Sequence, residues 1–211
     1  MSEVPHSLRR GDLDDGRRFP LEEVDTAFQH LYFTGCVKED WTAWARMFTV
    51  DCCYVERFWG NLNGRKEVEA WINPVMAGVP EIYTVLEWYT VDDSGRVCWF
   101  LQNRRDNPDP DGPAFFDFAG LSTARYAGSG EWDYEEDYWD VKGARETAGL
   151  YASACEKMGT TYEQKLSRRF WPTGPPFARL DTTVAQPEWL NLDVPRITKP
   201  RELREIIAAL P

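Results

Sequence analysis

At Glu81 the hydrophobic pattern of this 211-residue chain switches from a repeat of about 3.6 residues to a repeat of 2. Downstream of that point, residues 82–91, 96–105, 115–126 and 131–141 alternate as four long strands. Their links are built from turn-forming residues: Asp92-Asp93-Ser94-Gly95, Asn107-Pro108-Asp109-Pro110-Asp111-Gly112-Pro113 and Ala127-Gly128-Ser129-Gly130. Strands joined this briefly pair as an antiparallel meander. Upstream, Leu21, Val24, Phe28, Leu31 and Tyr32 recur at helical spacing after Pro20 and predict a helix to about Cys36. Asp40 caps a second helix with Trp41, Trp44, Ala45 and Phe48 on one face, and residues 50–57 read as a strand. Gly60 and Gly64 bracket a turn before a third helix through Val68, Trp71, Ile72, Val75 and Met76, and a last helix is predicted over about 144–158.

The chain divides into an arm over 1–18, a domain over 19–158, and a proline-rich extension over 159–211 that ends in a short helix at about 202–210. The extension shows no core of its own and is expected to pack on its own domain or on a neighbouring subunit. Residues 19–158 hold 25 acidic against 12 basic side chains. A field of that sign repels polyanions, which argues against nucleic acid and for a neutral or cationic ligand. No apolar run approaches the roughly 20 residues of a membrane span. The five cysteines form no CxxC pair, and without a leader sequence they read as reduced thiols of a cytoplasmic protein. With His6 in the arm, His30 is the only histidine left for chemistry, so neither a histidine-rich metal site nor a Ser-His-Asp triad is expected.

The order of these elements carries a resemblance. The run Trp41-Thr42-Ala43-Trp44-Ala45-Arg46-Met47-Phe48-Thr49-Val50-Asp51 leads into Cys52-Cys53-Tyr54-Val55. Gly64-Arg65-Lys66-Glu67-Val68-Glu69-Ala70-Trp71-Ile72 follows, and Gly130-Glu131-Trp132-Asp133-Tyr134-Glu135-Glu136-Asp137-Tyr138-Trp139-Asp140 closes the pattern. Together they resemble the nuclear transport factor two-like, or SnoaL-like, superfamily over about residues 19–158. The resemblance implies an α+β cone: N-terminal helices packed on a curved antiparallel sheet that encloses a deep apolar cavity. It also implies acid–base chemistry without metal or organic cofactor, and homodimers or homotrimers. The superfamily spans ketosteroid isomerases, dehydratases, polyketide cyclases and non-catalytic binders, so the reaction does not follow from the fold. The histidine and carboxylate of its dehydratase branch have no counterpart here. The last strand, where polyketide cyclases carry a catalytic carboxylate, offers Glu136, Asp137 and Asp140.

Strand alternation extended from Trp132 puts Tyr134, Glu136, Tyr138 and Asp140 on one face and Asp133, Glu135, Asp137 and Trp139 on the other. The first set is taken as the cavity wall. Glu136 among aromatic rings then becomes the expected general acid or base, with an Arg104, Arg105 or Arg125 ion pair as the competing view. Asp117, Glu87 and Tyr138 are the other catalytic candidates. Asn103 and Arg105 share a face with Trp99 and are expected to anchor a ligand oxygen, with Tyr32, Tyr54 and Tyr83 as further polar wall groups. Ten tryptophans, nine tyrosines and eleven phenylalanines favour a flat, hydrophobic, aromatic small molecule. The expected activity is a cofactor-independent lyase or isomerase. Its most specific form is a formaldehyde-releasing lyase on lignin-derived diarylpropanes that gives stilbenes. Steroid or polyketide isomerisation, cyclisation or dehydration is the second reading, and a non-catalytic ligand carrier the third.

Overall fold

The computed structural model describes residues 16–210. The expected arm and His6 therefore lie almost wholly outside the described residues. Helix α1 (Leu21–Tyr32) starts after Pro20, carries Glu22 and Glu23 in its first turn, and buries Val24, Phe28, Leu31 and Tyr32. It runs on into a π-helical turn at Phe33–Val37. Helix α2 (Trp41–Ala45) begins where the Asp40 carboxylate accepts a hydrogen bond from Ala43 N at 3.0 Å, the expected cap. Strands β1 (Phe48–Glu56) and β2 (Gly60–Asn63) lead to α3 (Arg65–Gly78). The meander β3 (Tyr83–Val91), β4 (Arg96–Asp106), β5 (Phe115–Gly128) and β6 (Glu131–Trp139) follows, then α4 (Val141–Met158) and, far downstream, α5 (Pro200–Ala208). Asp140 does not line a site: it caps α4 by accepting from Lys142 N and Gly143 N.

The six strands form one curved, unclosed sheet in the order β2-β1-β6-β5-β4-β3. Two features correct the sequence reading. The stretch between Gly60 and Gly64 is a strand, and β1 lies parallel to β6, so the sheet is mixed and not antiparallel throughout. The parallel pair has a physical reason: a meander ending at β6 leaves that edge unpaired, and β1, delivered by α1 and α2, covers it.

The helices close over one face of the sheet. Phe28 and Leu31 of α1, Trp44 of α2, Val68 and Trp71 of α3, and Phe48, Trp99 and Trp132 of the sheet share one core. That core includes Trp189, Ile197 and Leu203 from the extension, which therefore packs on its own domain. Trp171 stacks on Tyr83 at 5.5 Å, and Phe177 meets the edges of Tyr32 and Tyr89. The buried guanidinium of Arg168 pairs with Glu39 at 2.8 Å and also donates to Pro80 O. Ile197 N bonds to Pro74 O at 3.1 Å, which brings the extension's backbone hard against the end of α3. A Cβ on Gly78 would stand 2.1 Å from Ile197 O, so this approach needs a glycine. Gly78→Ala is expected to destabilise the fold by about 1–3 kcal/mol, measurable as a lower denaturant midpoint at unchanged slope.

Candidate active site

A cavity of about 350 Å³ lies between the inner face of the sheet and helices α1 to α3. Phe28, Trp41, Trp44, Trp71 and Trp99 supply much of its apolar wall, and Thr198 of the extension lines it too. The polar groups converge on the β1–β6–β5 wall. Glu135 and Asp137 project from β6, Ser122 from the opposed position on β5, and Tyr54 and Glu56 from β1.

Tyr54 Oη lies 3.1 Å from Glu135 Oε1 and makes a short contact with Asp137 Oδ2. Ser122 Oγ donates to Asp137 Oδ1 at 2.5 Å. Tyrosine has one hydroxyl hydrogen for two carboxyl neighbours. If both acids were ionised, one contact would set two lone-pair oxygens against each other, so the group needs a further proton. Burial supplies the reason it is kept. Glu135 is 3% exposed, and desolvation, joined by the charge of Asp137, raises its pKa well above the ordinary carboxylate range. Desolvation also raises Asp137, to about 6, opposed by the hydrogen bonds from Ser122 and Tyr54. Both acids are thus pushed toward the protonated form, Glu135 by burial and by the charge of Asp137, and Asp137 by burial against its two hydroxyl donors. Glu135 Oε2 is buried with no hydrogen-bond partner among the described residues.

Glu56 has a different environment. It accepts from Phe58 N at 2.7 Å, from Trp59 N and from the Trp139 indole, which fixes the β1–β2 turn and two rings of the cavity wall. Desolvation raises its pKa as well. Tyr32 also lines the cavity, but its hydroxyl is satisfied: it donates to Thr84 O at 2.8 Å and accepts from Leu86 N at 3.0 Å. Burial pushes the Cys36 thiol up to about 12, so it is no thiolate nucleophile near neutral pH. Among the described residues no cluster of His, Cys, Asp and Glu is arranged to hold a metal ion.

The structure relocates several expected site residues. Glu136 points away from the cavity and forms an ion pair with Arg57, with hydrogen bonds from Tyr134 and Tyr138. The cause is a one-residue bulge. Arg125 pairs with Tyr134 while Tyr126 pairs with Trp132, so Asp133 is an extra residue on β6. Trp132 and Glu135 consequently both face inward, and the alternation extended from Trp132 is inverted beyond Asp133. Arg125 and Arg17 each hold Asp133 at 2.7 Å on the outer side.

Asp117 is also outside: it makes a bidentate pair with Arg104 at 2.8 and 2.6 Å, because the inward parity of β5 belongs to Phe118, Gly120 and Ser122. Glu87 is the extra residue of a second bulge, between Leu86 and Trp88, and is exposed, accepting from Gln102. Tyr83 lies on the outer face under the extension and donates to Asp106 at 2.6 Å. Arg105 does share the inner face but packs behind the wall on Phe118 and Tyr151 and does not itself line the cavity. Tyr138 reaches the rim and is 43% exposed. Tyr32, Tyr54, Trp99 and Asn103 line the cavity.

Glu136→Gln and Asp117→Asn are expected to leave turnover unchanged, since neither side chain reaches the lumen. A kcat measurement on each checks this.

A curved sheet roofed by helices, with a buried carboxyl pair in an aromatic hollow, defines an α+β cone with a polar cluster on one wall of its cavity. No protein-family model matches the chain, and no curated protein sequence does. Solved structures do. A protein described as a SnoaL-like polyketide cyclase from Jannaschia sp. CCS1 is 17% identical over 62% of this chain and 94% of its own, with a TM-score of 0.49. A protein with a ketosteroid isomerase-like fold from Catenulispora acidiphila, in complex with trimethylamine, is 18% identical over 64% and 98%, with a TM-score of 0.46. The epoxide hydrolase/cyclase-like enzyme SalBIII, of pyran ring formation in salinomycin, is 16% identical over 58% and 94%, with a TM-score of 0.47.

Proposed function

We propose that this protein is an enzyme that moves protons on a hydrophobic, aromatic small molecule without metal or organic cofactor. The observation that carries this reading is the placement of Glu135 and Asp137. Both are desolvated, both lie within reach of Tyr54, and they line one wall of an aromatic cavity. A base that titrates near 6 is ionised at neutral pH yet still basic enough to take a proton, and a carboxylic acid held neutral beside it can give one. Lyase and isomerase chemistry needs that pair.

The most specific form is cleavage of a diarylpropane-1,3-diol. Asp137 takes the proton of the primary hydroxyl as the adjacent C–C bond breaks and formaldehyde leaves. The electron pair of that bond forms the new C=C bond, and the benzylic hydroxyl departs as water with the proton of Glu135. The products are formaldehyde, water and a stilbene. A double-bond shift in a steroid or polyketide would use the same two groups, with Asp137 as the carrier of one proton.

The test is a panel of diarylpropanediols and a β,γ-unsaturated steroid ketone, followed by stilbene absorbance, formaldehyde release and enone absorbance. Turnover of a diol with equal amounts of formaldehyde and stilbene is expected. Saturable binding without turnover, and without exchange of ligand protons into D₂O, would instead make the protein a carrier.

A further inference from the structure

We infer that Asn103 is an anchor for an acceptor oxygen on the ligand's aromatic ring, para to the carbon that faces Asp137. This rests on the reading above for the reacting end and adds the chemistry of the other end. Asn103 lines the cavity, and no group among the described residues hydrogen-bonds its carboxamide. Most polar groups on this wall are occupied: Ser122 and Tyr54 by the acids, Tyr32 by β3, and Glu56 by its turn. Asn103 therefore presents an unpaired carboxamide, with its two N–H donors beside Gly120, to the cavity.

Its position sets a length. Asn103 on β4, Gly120 on β5 and Asp137 on β6 lie on one diagonal of the sheet. Gly120 pairs with Leu101 and Trp139, each two residues from the end of that line. A Cβ on Gly120 would stand 3.1 Å from Asn103 Nδ2 and 2.8 Å from Leu101 Cδ1, so the amide leans across β5 toward the acids and a glycine leaves it room. From Gly120 to Asp137 is one strand across and two residues along, about 8 Å at ordinary strand spacings. The gap from amide to carboxylate is thus roughly 10 Å. A hydrogen bond of about 2.9 Å at the amide and a contact of about 3 Å at Asp137 leave roughly 4 Å, the span from an oxygen on a ring to the carbon para to it.

The test uses binding, which does not depend on turnover. The probes are 4-methoxy-, 3-methoxy- and 4-ethyl-1,2-diphenylethane, titrated by quenching of the cavity tryptophans. The 4-methoxy and 4-ethyl compounds have the same shape and differ in one acceptor oxygen. Wild type should bind the 4-methoxy compound roughly three- to tenfold more tightly than the 4-ethyl, with no gain for the 3-methoxy. Asn103→Leu and Asn103→Ala should each abolish the preference, and Asp137→Asn should retain it. Equal affinities in wild type, a preference that survives both Asn103 variants, or one that disappears in Asp137→Asn would each overturn the assignment. If the preference follows Asn103 while no diol or ketone turns over, the anchor stands and the catalytic reading falls.

Discussion

Asp137→Asn is expected to lower turnover by roughly 10²–10⁴-fold and, at the same time, to raise the melting temperature. The loss follows from removal of a cavity carboxylate whose pKa is raised to about 6 and whose oxygens are held by Ser122 and Tyr54. The gain follows from linkage. The folded-state pKa of Asp137 is raised from the ordinary 3.8 to about 6, so the native state keeps this proton to higher pH than the unfolded chain does. Stability from this group is therefore fully present below about 4 and falls as pH rises through 4 to 6. Above that window the ionised group opposes folding by up to about 3 kcal/mol, and a neutral isostere removes the opposition. Ser122 can still donate to the amide oxygen of Asn. The check is kcat together with thermal melts at pH 4 and pH 7.5. The variant should exceed wild type in melting temperature at pH 7.5 and match it at pH 4.

Glu135→Gln should also reduce turnover by roughly 10²–10⁴-fold, but with a different pH signature. In wild type the rate needs Asp137 ionised and Glu135 protonated, so kcat against pH is bell-shaped, with an acid limb near 6 and an alkaline limb set by Glu135. Glutamine keeps the shape and the neutrality of the protonated acid but has no carboxyl proton to give. The residual activity should keep the acid limb and lose the alkaline one. Stability should change little, because a neutral group replaces a neutral group. A residual rate that remains bell-shaped would remove Glu135 from the proton inventory.

Much of the architecture was legible in the pattern of residues, for a physical reason. The long strands and helices announce themselves through period, through the Asp40 cap and through turn chemistry such as that at Asp92 to Gly95. Strand β2 did not, because four residues with one buried side chain, Leu62, give no period. The parallel β1–β6 pair is a long-range choice of edge that no local signal encodes. Within the cavity, Tyr32, Tyr54, Trp99 and Asn103 line the wall, a position that alternation and helical spacing make legible because their strands and helix keep regular parity there. The acids on β6 were not. Glu135, Glu136 and Asp137 are consecutive, so alternation names their faces only up to one bulge, and the extra residue at Asp133 decides it. The inward Trp132 and the inward Glu135, three residues apart, are the mark of that bulge. Glu87, itself a bulge residue, was misplaced on the same account.

The central claim is that Glu135 and Asp137 share one proton at neutral pH inside the cavity. Infrared difference spectra of the carboxyl C=O band across pH 4 to 9, for wild type, Glu135→Gln and Asp137→Asn, test it most directly. The predicted result is a protonated carboxyl at pH 7 that vanishes in Glu135→Gln, and a second that titrates near 6 and vanishes in Asp137→Asn. Spectra showing both groups fully ionised by pH 5.5 would contradict it.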